Sequence, residues 1–539
     1  MKPLIRFAVL GLLAPLAFAG SKVSSDMPAA TPSGTVDVIV QYKSFAALNS
    51  ATATHPDQIR RQFRSIPAAH LRVPVSMVQT LAADPQVAYV SPDRTTVGFL
   101  DITTQTVNAN QQWSEGWDGT GVGIALIDSG VALKPDLAAK DGTSSRVVFS
   151  ESFVSGQDAS DQYGHGTHVA GILAANGAES TGANFTHTFK GVAPDANIVN
   201  LRVLDANGNG NESDVIAAID EAIALKDKYN IRVMNLSLGH PVYESFKLDP
   251  LCQAAEAAWK AGITVVVAAG NMGRDNSLGT LGYATINSPG NDPYVITVGA
   301  MNAEGTPWRN DDQIASYSSK GPTALDHVVK PDILAPGNDV VSLLASPNCT
   351  LAVKYPQTLI SKSSYERSGA GLSTDYFKLS GTSMATPVVS GAAALMIQED
   401  PSITPDTVKA RLMKTATKNF ARYTTATDLR GDRSFETEQN IFTVGAGYLD
   451  IEGAITNRDP VNFQALSPVA EYNPQTQAVT LVSADALIWG SAVQPSSIVW
   501  SDSIVWSDSI VWSDSIVWSD SIVWSDSIVW SDVLSNGDR

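Results

Sequence analysis

The chain is poor in cysteine, in histidine and in basic charge, and after its first twenty residues it has no long apolar run. Only Cys252 and Cys349 occur in 539 residues, which excludes a disulfide-built scaffold and a cysteine zinc cluster. An exported chain could join the two, but spacing alone does not bring Cβ atoms together. Lys and Arg number 36 against 54 Asp and Glu, a formal charge of -18, so no basic surface for a nucleic-acid partner is implied. No later stretch reaches the roughly 18 consecutive apolar residues of a membrane-spanning helix. Histidine occurs seven times, yet two lie three apart in "GHGTHVAG", Gly164 to Gly171.

What is present divides the chain. Its length suggests about three to four units, and 44% hydrophobic residues are enough for at least one sizeable core. Residues 1–19 read as a secretory signal peptide: Lys2 and Arg6, then an apolar run, then a small-x-small site ending at Ala19. The mature protein is expected outside the cytoplasm, secreted or cell-surface associated. Residues 35–94 form a small α+β unit, in which "TVDVIVQY" reads as a strand and "HPDQIRRQFRS" as a helix. "VPVSMVQTLAADPQVAYVSPD" reads as helix, Asp-Pro turn and strand. From 107 to 454, short apolar runs such as "GVGIALIDSG", "ANIVNLRVLD", "IRVMNLSLG", "GITVVVAAGN" and "YVITVGAMN" alternate with helical patterns. That alternation predicts an α/β fold with a mostly parallel sheet flanked by helices, its chemistry beyond the carboxyl ends of the strands. Residues 455–495 read as a linker or small extension. Residues 496–534 hold the repeat, with five perfect copies of "SDSIVW" from Ser501 to Trp530.

The two histidines invite a metal, but the Glu of a helical HExxH is missing and no further ligand set completes a zinc site. Nucleophilic catalysis needs an attacking oxygen, an imidazole to take its proton and a carboxylate to hold the imidazole. Asp128 ends the apolar strand "GIALI". His165 opens a helix in "GHGTHVAGILAA". Ser383 lies in the first turn of the apolar helix in "SGTSMATPVVSGAAALM", where unpaired N–H groups favour negative charge. Taken singly, Asp128-Ser129-Gly130 is also a turn, and Ser383 also an ordinary first-turn residue.

Together these motifs resemble those of the subtilisin-like serine peptidases, the subtilases of peptidase family S8, over 107–454. "IDSGV", "GHGTHVAG" and "GTSMATP" match in the family's order. The resemblance implies a subtilisin-like fold, with Asp128 as triad carboxylate, His165 as base, Ser383 as nucleophile and His168 as a structural neighbour. The sedolisin peptidases share a similar serine motif but use glutamate in place of the histidine, so a neutral-to-alkaline enzyme is expected. Asn271 in "VVVAAGN" matches the side-chain oxyanion donor. Ser237, Leu238 and Gly239, with Ala268, Ala269 and Gly270, resemble the pocket walls, and Gly282 the pocket floor. A roomy pocket implies broad specificity with preference for large apolar residues before the scissile bond.

The 35–94 unit resembles the family's inhibitor-like prodomain, a folding aid and intramolecular inhibitor released by cleavage, for which Thr95 to Asn110 is the accessible region. The insertion "HPVYESFKLDPLCQ" after Gly239 is expected to border the cleft. No cofactor is required for the chemistry. Structural calcium is common in the family but unassigned here, since "DANGNGNESD", Asp205 to Asp214, lacks EF-hand spacing and reads as a solvated turn. Polypeptides are the implied substrates. Two alternatives stand beside this: a surface-attached or adhesive protein whose aromatic repeat carries the main role, and a peptidase acting mainly on itself.

Overall fold

The computed structural model describes residues 22–24, 27, 34–54, 58–63, 67–92, 100–277, 279–428, 433–473, 478–482 and 537–538. The expected signal peptide and the 496–534 repeat lie outside the described residues. Two compact units are present, Met1–Thr96 and Val97–Arg539.

In the first unit, β1 (Thr35–Tyr42), α1 (Phe45–Thr54), β2 (Ile59–Gln62), β3 (Ala68–Pro74), α2 (Val78–Ala83) and β4 (Val87–Pro92) follow one another. They build an antiparallel sheet in the order β2-β3-β1-β4. Its core is small and its own, with Val38, Val40, Leu48, Leu71, Val73 and Val90 at the centre. β1, α2 and β4 stand where the pattern predicts. The helix expected in "HPDQIRRQFRS" is instead the edge strand β2, pairing only with β3. Its Arg60, Arg61 and Gln62 are exposed, as suits an edge that charge protects from further pairing.

The second unit opens with α3 (Leu100–Thr106) and α4 (Ala109–Ser114). Of the 95–110 region expected to be accessible to processing, 95–99 lie outside the described residues, Thr103, Thr104, Thr106, Val107 and Ala109 are buried, and Gln105 and Asn110 are exposed, so most of its described part is covered. The chain continues through β5 (Gly123–Asp128), β6 (Val147–Ser152), α5 (His165–Ala174), β7 (Asn197–Arg202), α6 (Glu212–Ala224), α7 (Lys226–Tyr229), β8 (Ile231–Leu236), α8 (Pro250–Lys260), β9 (Thr264–Ala268) and β10 (Ile296–Asn302). Then come β11 (Gln313–Ile314), β12 (Ile333–Pro336), β13 (Val340–Leu343), α9 (Thr350–Lys354), β14 (Leu359–Ser361), β15 (Leu372–Leu379), α10 (Thr382–Glu399), α11 (Pro405–Thr415), β16 (Tyr423–Thr427), β17 (Ser434–Glu438), α12 (Ile441–Val444), α13 (Ile451–Thr456), β18 (Val469–Asn473) and β19 (Ala478–Val482).

The main sheet runs β11-β10-β9-β8-β5-β7-β6, with β12 also on β10. Every pairing is parallel except β10 with β11. Central strands β5 and β9 are buried along their whole length, which is why they read as unbroken apolar runs. α10 lies against β8, β9, β10 and β12 as well as α5. The body does not stop at Ala454: β18 meets Val328 through Val469, and Val329 donates to the Pro468 carbonyl. Among the described residues, no helix is long and apolar enough to cross a membrane.

Candidate active site

Asp128 is the last residue of β5, paired on both edges by β7 and β8, so the sheet delivers its carboxylate to a fixed place. Its Oδ1 accepts from the Ser129 amide at 2.7 Å and faces His165 Nδ1 at 2.8 Å. Both side chains are 1% exposed. Because Nδ1 donates to the carboxylate, Nε2 is the basic nitrogen of the ring. Burial resists protonation of His165, yet the Asp128 charge and, further off, that of Asp161 hold its pKa above the ordinary value.

The start of α5 is brought hard against the loop that follows β5. Gly164 has φ +103°, and a Cβ there would lie 2.6 Å from Cys349 Sγ. At Gly166 a Cβ would lie 2.2 Å from the Gly130 carbonyl oxygen. Asp161, which sequence reasoning missed, ties these pieces together. Its carboxylate accepts from Ser129 Oγ, the Gly164 amide, and the Thr167 amide and hydroxyl, at 2.6 to 2.9 Å. Ser129 Oγ in turn accepts from the Gly166 amide at 2.9 Å. Burial pushes the Asp161 carboxyl up against the pull of these bonds, but a group that only accepts is used as a carboxylate. The sequence signal was a lone Asp four residues before His165, too weak to read alone.

His168 lies one turn further along α5. Its Nε2 faces the Val340 carbonyl at 3.0 Å, and its ring meets Phe377 edge-on. Burial, then the neighbouring His165, push its pKa down to about 3, so it is a neutral packing residue.

Ser383 is the second residue of α10, where helix amides have no acceptor within the helix. Its hydroxyl donates to the Ser237 carbonyl at 3.3 Å, and Ser237 Oγ donates back to the Ser383 carbonyl at 2.9 Å. Asn271 follows the end of β9. Its Oδ1 accepts from the Thr382 amide at 2.9 Å and the Thr382 hydroxyl at 3.2 Å. Two donors on the oxygen fix the amide's orientation and turn its NH₂ the other way.

Ser237, Leu238 and Gly239 continue β8, and Ala268, Ala269 and Gly270 end and follow β9, so the two segments leave the sheet from adjacent paired strands, whose register runs to Leu236 and Val267. Gly270 is pinned by its amide on Thr382 Oγ1 and its carbonyl on the Ser319 amide. A Cβ at Gly239 would meet Asn287 Cβ at 3.3 Å, and one at Gly270 would meet the Asn287 amide at 3.1 Å. Asn287 is therefore the side chain beside both segments, and no local motif announced it. Gly282, expected at the floor, has φ +81° and packs on the Gly273 carbonyl, only 1.9 Å from where a Cβ would stand. In the insertion after Gly239, His240 pairs with Ser288 and stacks on Tyr243.

Cys252 and Cys349 are both free and buried. Asp205 spends its carboxylate on the amides of Asn207 and Asn209 in its own loop. Glu212, His240 and Asp249 bring ligand atoms within 4.8 Å of one another and could hold a metal ion. An imidazole with two carboxylates suits a borderline cation better than the all-oxygen cage of calcium. Asp249 also caps α8 and accepts from Ser288.

The Peptidase_S8 model, described as the subtilase family, matches residues 119–439. Over 406 residues the chain is 34% identical to serine protease AprX of Bacillus subtilis, covering 74% of this chain and 81% of that protein. It is 33% identical to subtilisin E of the same species over 67% of this chain and 78% of the relative. Similarity extends to the thermostable alkaline protease of Halalkalibacterium halodurans, at 30% identity over 70% of this chain and 86% of the other.

Proposed function

Since the chain belongs to the subtilase family and is a serine-type endopeptidase, we propose that Ser383, His165 and Asp128 carry its chemistry, with Asn271 stabilising the charge that forms. The observation that carries this reading is the buried 2.8 Å contact between Asp128 and His165, on elements whose partner helix α10 bears Ser383 in its first turn. Ser383 Oγ attacks the scissile carbonyl carbon while its proton passes to His165 Nε2. The carbonyl π electrons move to oxygen, and the amide of Ser383 and the NH₂ of Asn271 donate to that oxyanion. Collapse breaks the C–N bond, and the His165 proton leaves on the amine. Water then attacks the acyl-enzyme, giving its proton to His165 and releasing acid and Ser383. Asp128 stays ionised throughout, holding the ring's tautomer and its transient positive charge. The 3.3 Å bond from Ser383 to Ser237 is long for an O–H donor, so turning the hydroxyl towards the imidazole costs little.

An extended polypeptide lies beside Ser237–Gly239 as an added strand, and the side chain before the scissile bond enters the pocket walled by Ser237–Gly239 and Ala268–Gly270, with little reading of other side chains. Asn287 lines that pocket in this reading, with Gly282 at its floor. Large apolar residues fill the pocket over its apolar walls, while the amide sets its depth.

The enzyme is exported by residues 1–19 and made as a precursor. What supports a prodomain at 35–94 is a four-stranded unit with its own core ahead of the catalytic one. No step uses a metal, and a structural calcium has no residues assigned to it.

The test is mass spectrometry of secreted parent and Ser383→Ala protein beside casein hydrolysis and phenylmethylsulfonyl fluoride labelling. The parent is expected to be processed, labelled and active, and the variant unprocessed and inert. An active Ser383→Ala protein would overturn the assignment.

A further inference from the structure

The chain beyond the repeat returns to the catalytic unit. Asp538 is 1% exposed, and each of its own polar atoms has a partner. Its Oδ1 accepts from Arg274 Nη2 at 2.5 Å and Ser316 Oγ at 2.7 Å, and its Oδ2 from the Ser316 amide at 2.6 Å. Asn338 reads the backbone in both directions, accepting from the Asp538 amide at 2.9 Å and donating to its carbonyl at 3.0 Å. Arg274 also donates to the Gly537 carbonyl at 3.1 Å. On the other side Asp538 forms an antiparallel bridge with Asp428, at the end of the β16–β17 hairpin.

We infer that Arg274, Ser316 and Asn338 form a socket for the Gly537–Asp538 segment, so that the chain beyond the "SDSIVW" repeat is fastened to the catalytic unit.

The socket is built for an aspartyl peptide. A buried carboxylate needs a cation and hydrogen bonds together, and Arg274 and Ser316 supply both. Arg274 is itself held, donating from Nε to Ser316 Oγ at 2.7 Å and lying over the ring of Phe435 at 4.7 Å. A side-chain amide that pairs with one residue's N–H and C=O selects an extended backbone at that place, as a neighbouring strand would. The near end of the connection is also fixed, since β18 pairs with β19 and bridges to Val328. Residues 483–536, with all five perfect copies of the repeat, thus join two held points. Cutting within them would not shed what lies beyond.

The experiment uses the full chain with Ser383→Ala, to prevent self-cleavage, and one site for a sequence-specific protease inserted within 501–530. After cutting, gel filtration shows whether the fragment carrying Gly537 and Asp538 stays with the body. It is expected to stay, and to be released from the same protein bearing Asp538→Ala. Release from the parent, or equal retention by both, would overturn the inference. Hydrogen exchange on the uncut chains gives a second readout: the Ser316 amide should exchange about tenfold faster in Asp538→Ala, the loss of one charge-assisted bond. Unchanged exchange at Ser316 would also count against the socket.

Discussion

Asp161 acts on His165 through charge as well as position. Its carboxylate contributes to the raised pKa of the ring, and its four bonds hold Ser129 and the start of α5 in register. His165 must be neutral to take a proton, so kcat/KM rises with pH through its pKa. Asp161→Asn removes the charge while keeping an acceptor. The acid limb of the pH profile should therefore move to lower pH, with a reduced plateau. A limb that stays in place would deny the electrostatic role; a merely structural residue would lower the plateau alone. On its proposed role as oxyanion donor, Asn271→Leu should instead lower kcat with little change in KM, because such a donor acts on charge present only in the transition state. For such a donor in a subtilisin the measured loss is about 10²–10³ in kcat. Steady-state kinetics on one peptide substrate separates the two cases. Asp128, His165, Ser383 and Asn271 could be proposed from the sequence because each sits in a contiguous motif. Asp161 and Asn287 were not, because their meaning lies in partners the fold brings from elsewhere: Asp161 bonds to Ser129 and Thr167, and Asn287 stands beside Gly239 and Gly270.

Elements, like residues, were legible where burial was one-sided in cause. β5, β7, β8, β9 and β10 are buried along most of their length and largely apolar because neighbours cover them, and that leaves a readable run despite the polar Asn200, Arg202 and Asn235 within it. β2 was misread as helix because an edge strand with exposed arginines carries no such run, and β3 went unread beside it. The helix–sheet approach at α5 gives a prediction whose sign runs against propensity. Replacing a glycine inside a helix by alanine ordinarily stabilises it by about 1 kcal/mol. At Gly166 the added methyl would meet the Gly130 carbonyl oxygen at 2.2 Å and Asp128 Oδ1 at 3.2 Å. Backbone cannot yield cheaply, so α5 must withdraw from the loop after β5. Gly166→Ala should cost about 1–3 kcal/mol in stability, as overpacking does. Activity should fall further, since a displacement of about 1 Å at the reacting groups can cost 10²-fold. Urea unfolding in a Ser383→Ala background and casein turnover in the active chain measure the two effects. A stabilised, fully active Gly166→Ala protein would show that this approach is not tight.

At the scale of the molecule, a buried charge cluster explains why the body continues past Ala454. Asp332, just ahead of β12, accepts from Lys330 at 2.7 Å, from the Thr297 amide at 2.8 Å and from Ser467 at 2.5 Å. Lys409 on α11 lies 3.5 Å from the same carboxylate and donates to the carbonyls of Pro293, Tyr294 and Val295 and to Ser467. One site thus joins β10, β12, α11 and the segment leading into β18. No sequence pattern foretold it, because its members are spread from Pro293 to Ser467. Asp332→Asn leaves two buried lysines facing a neutral amide, and breaking such a group from one side costs about 3–5 kcal/mol. Burial pushes Lys409 down to about 7, against the pull of Asp332, while an unfolded lysine titrates near 10.4. Between those values the unfolded chain binds a proton that the folded chain has released, so this group makes stability rise with pH. Lys409→Met should flatten that rise. Urea midpoints at pH 7 and pH 9.5, taken for Ser383→Ala alone and with Lys409→Met, decide it. A rise just as steep without the lysine would mean that other buried groups set the alkaline stability of the fold.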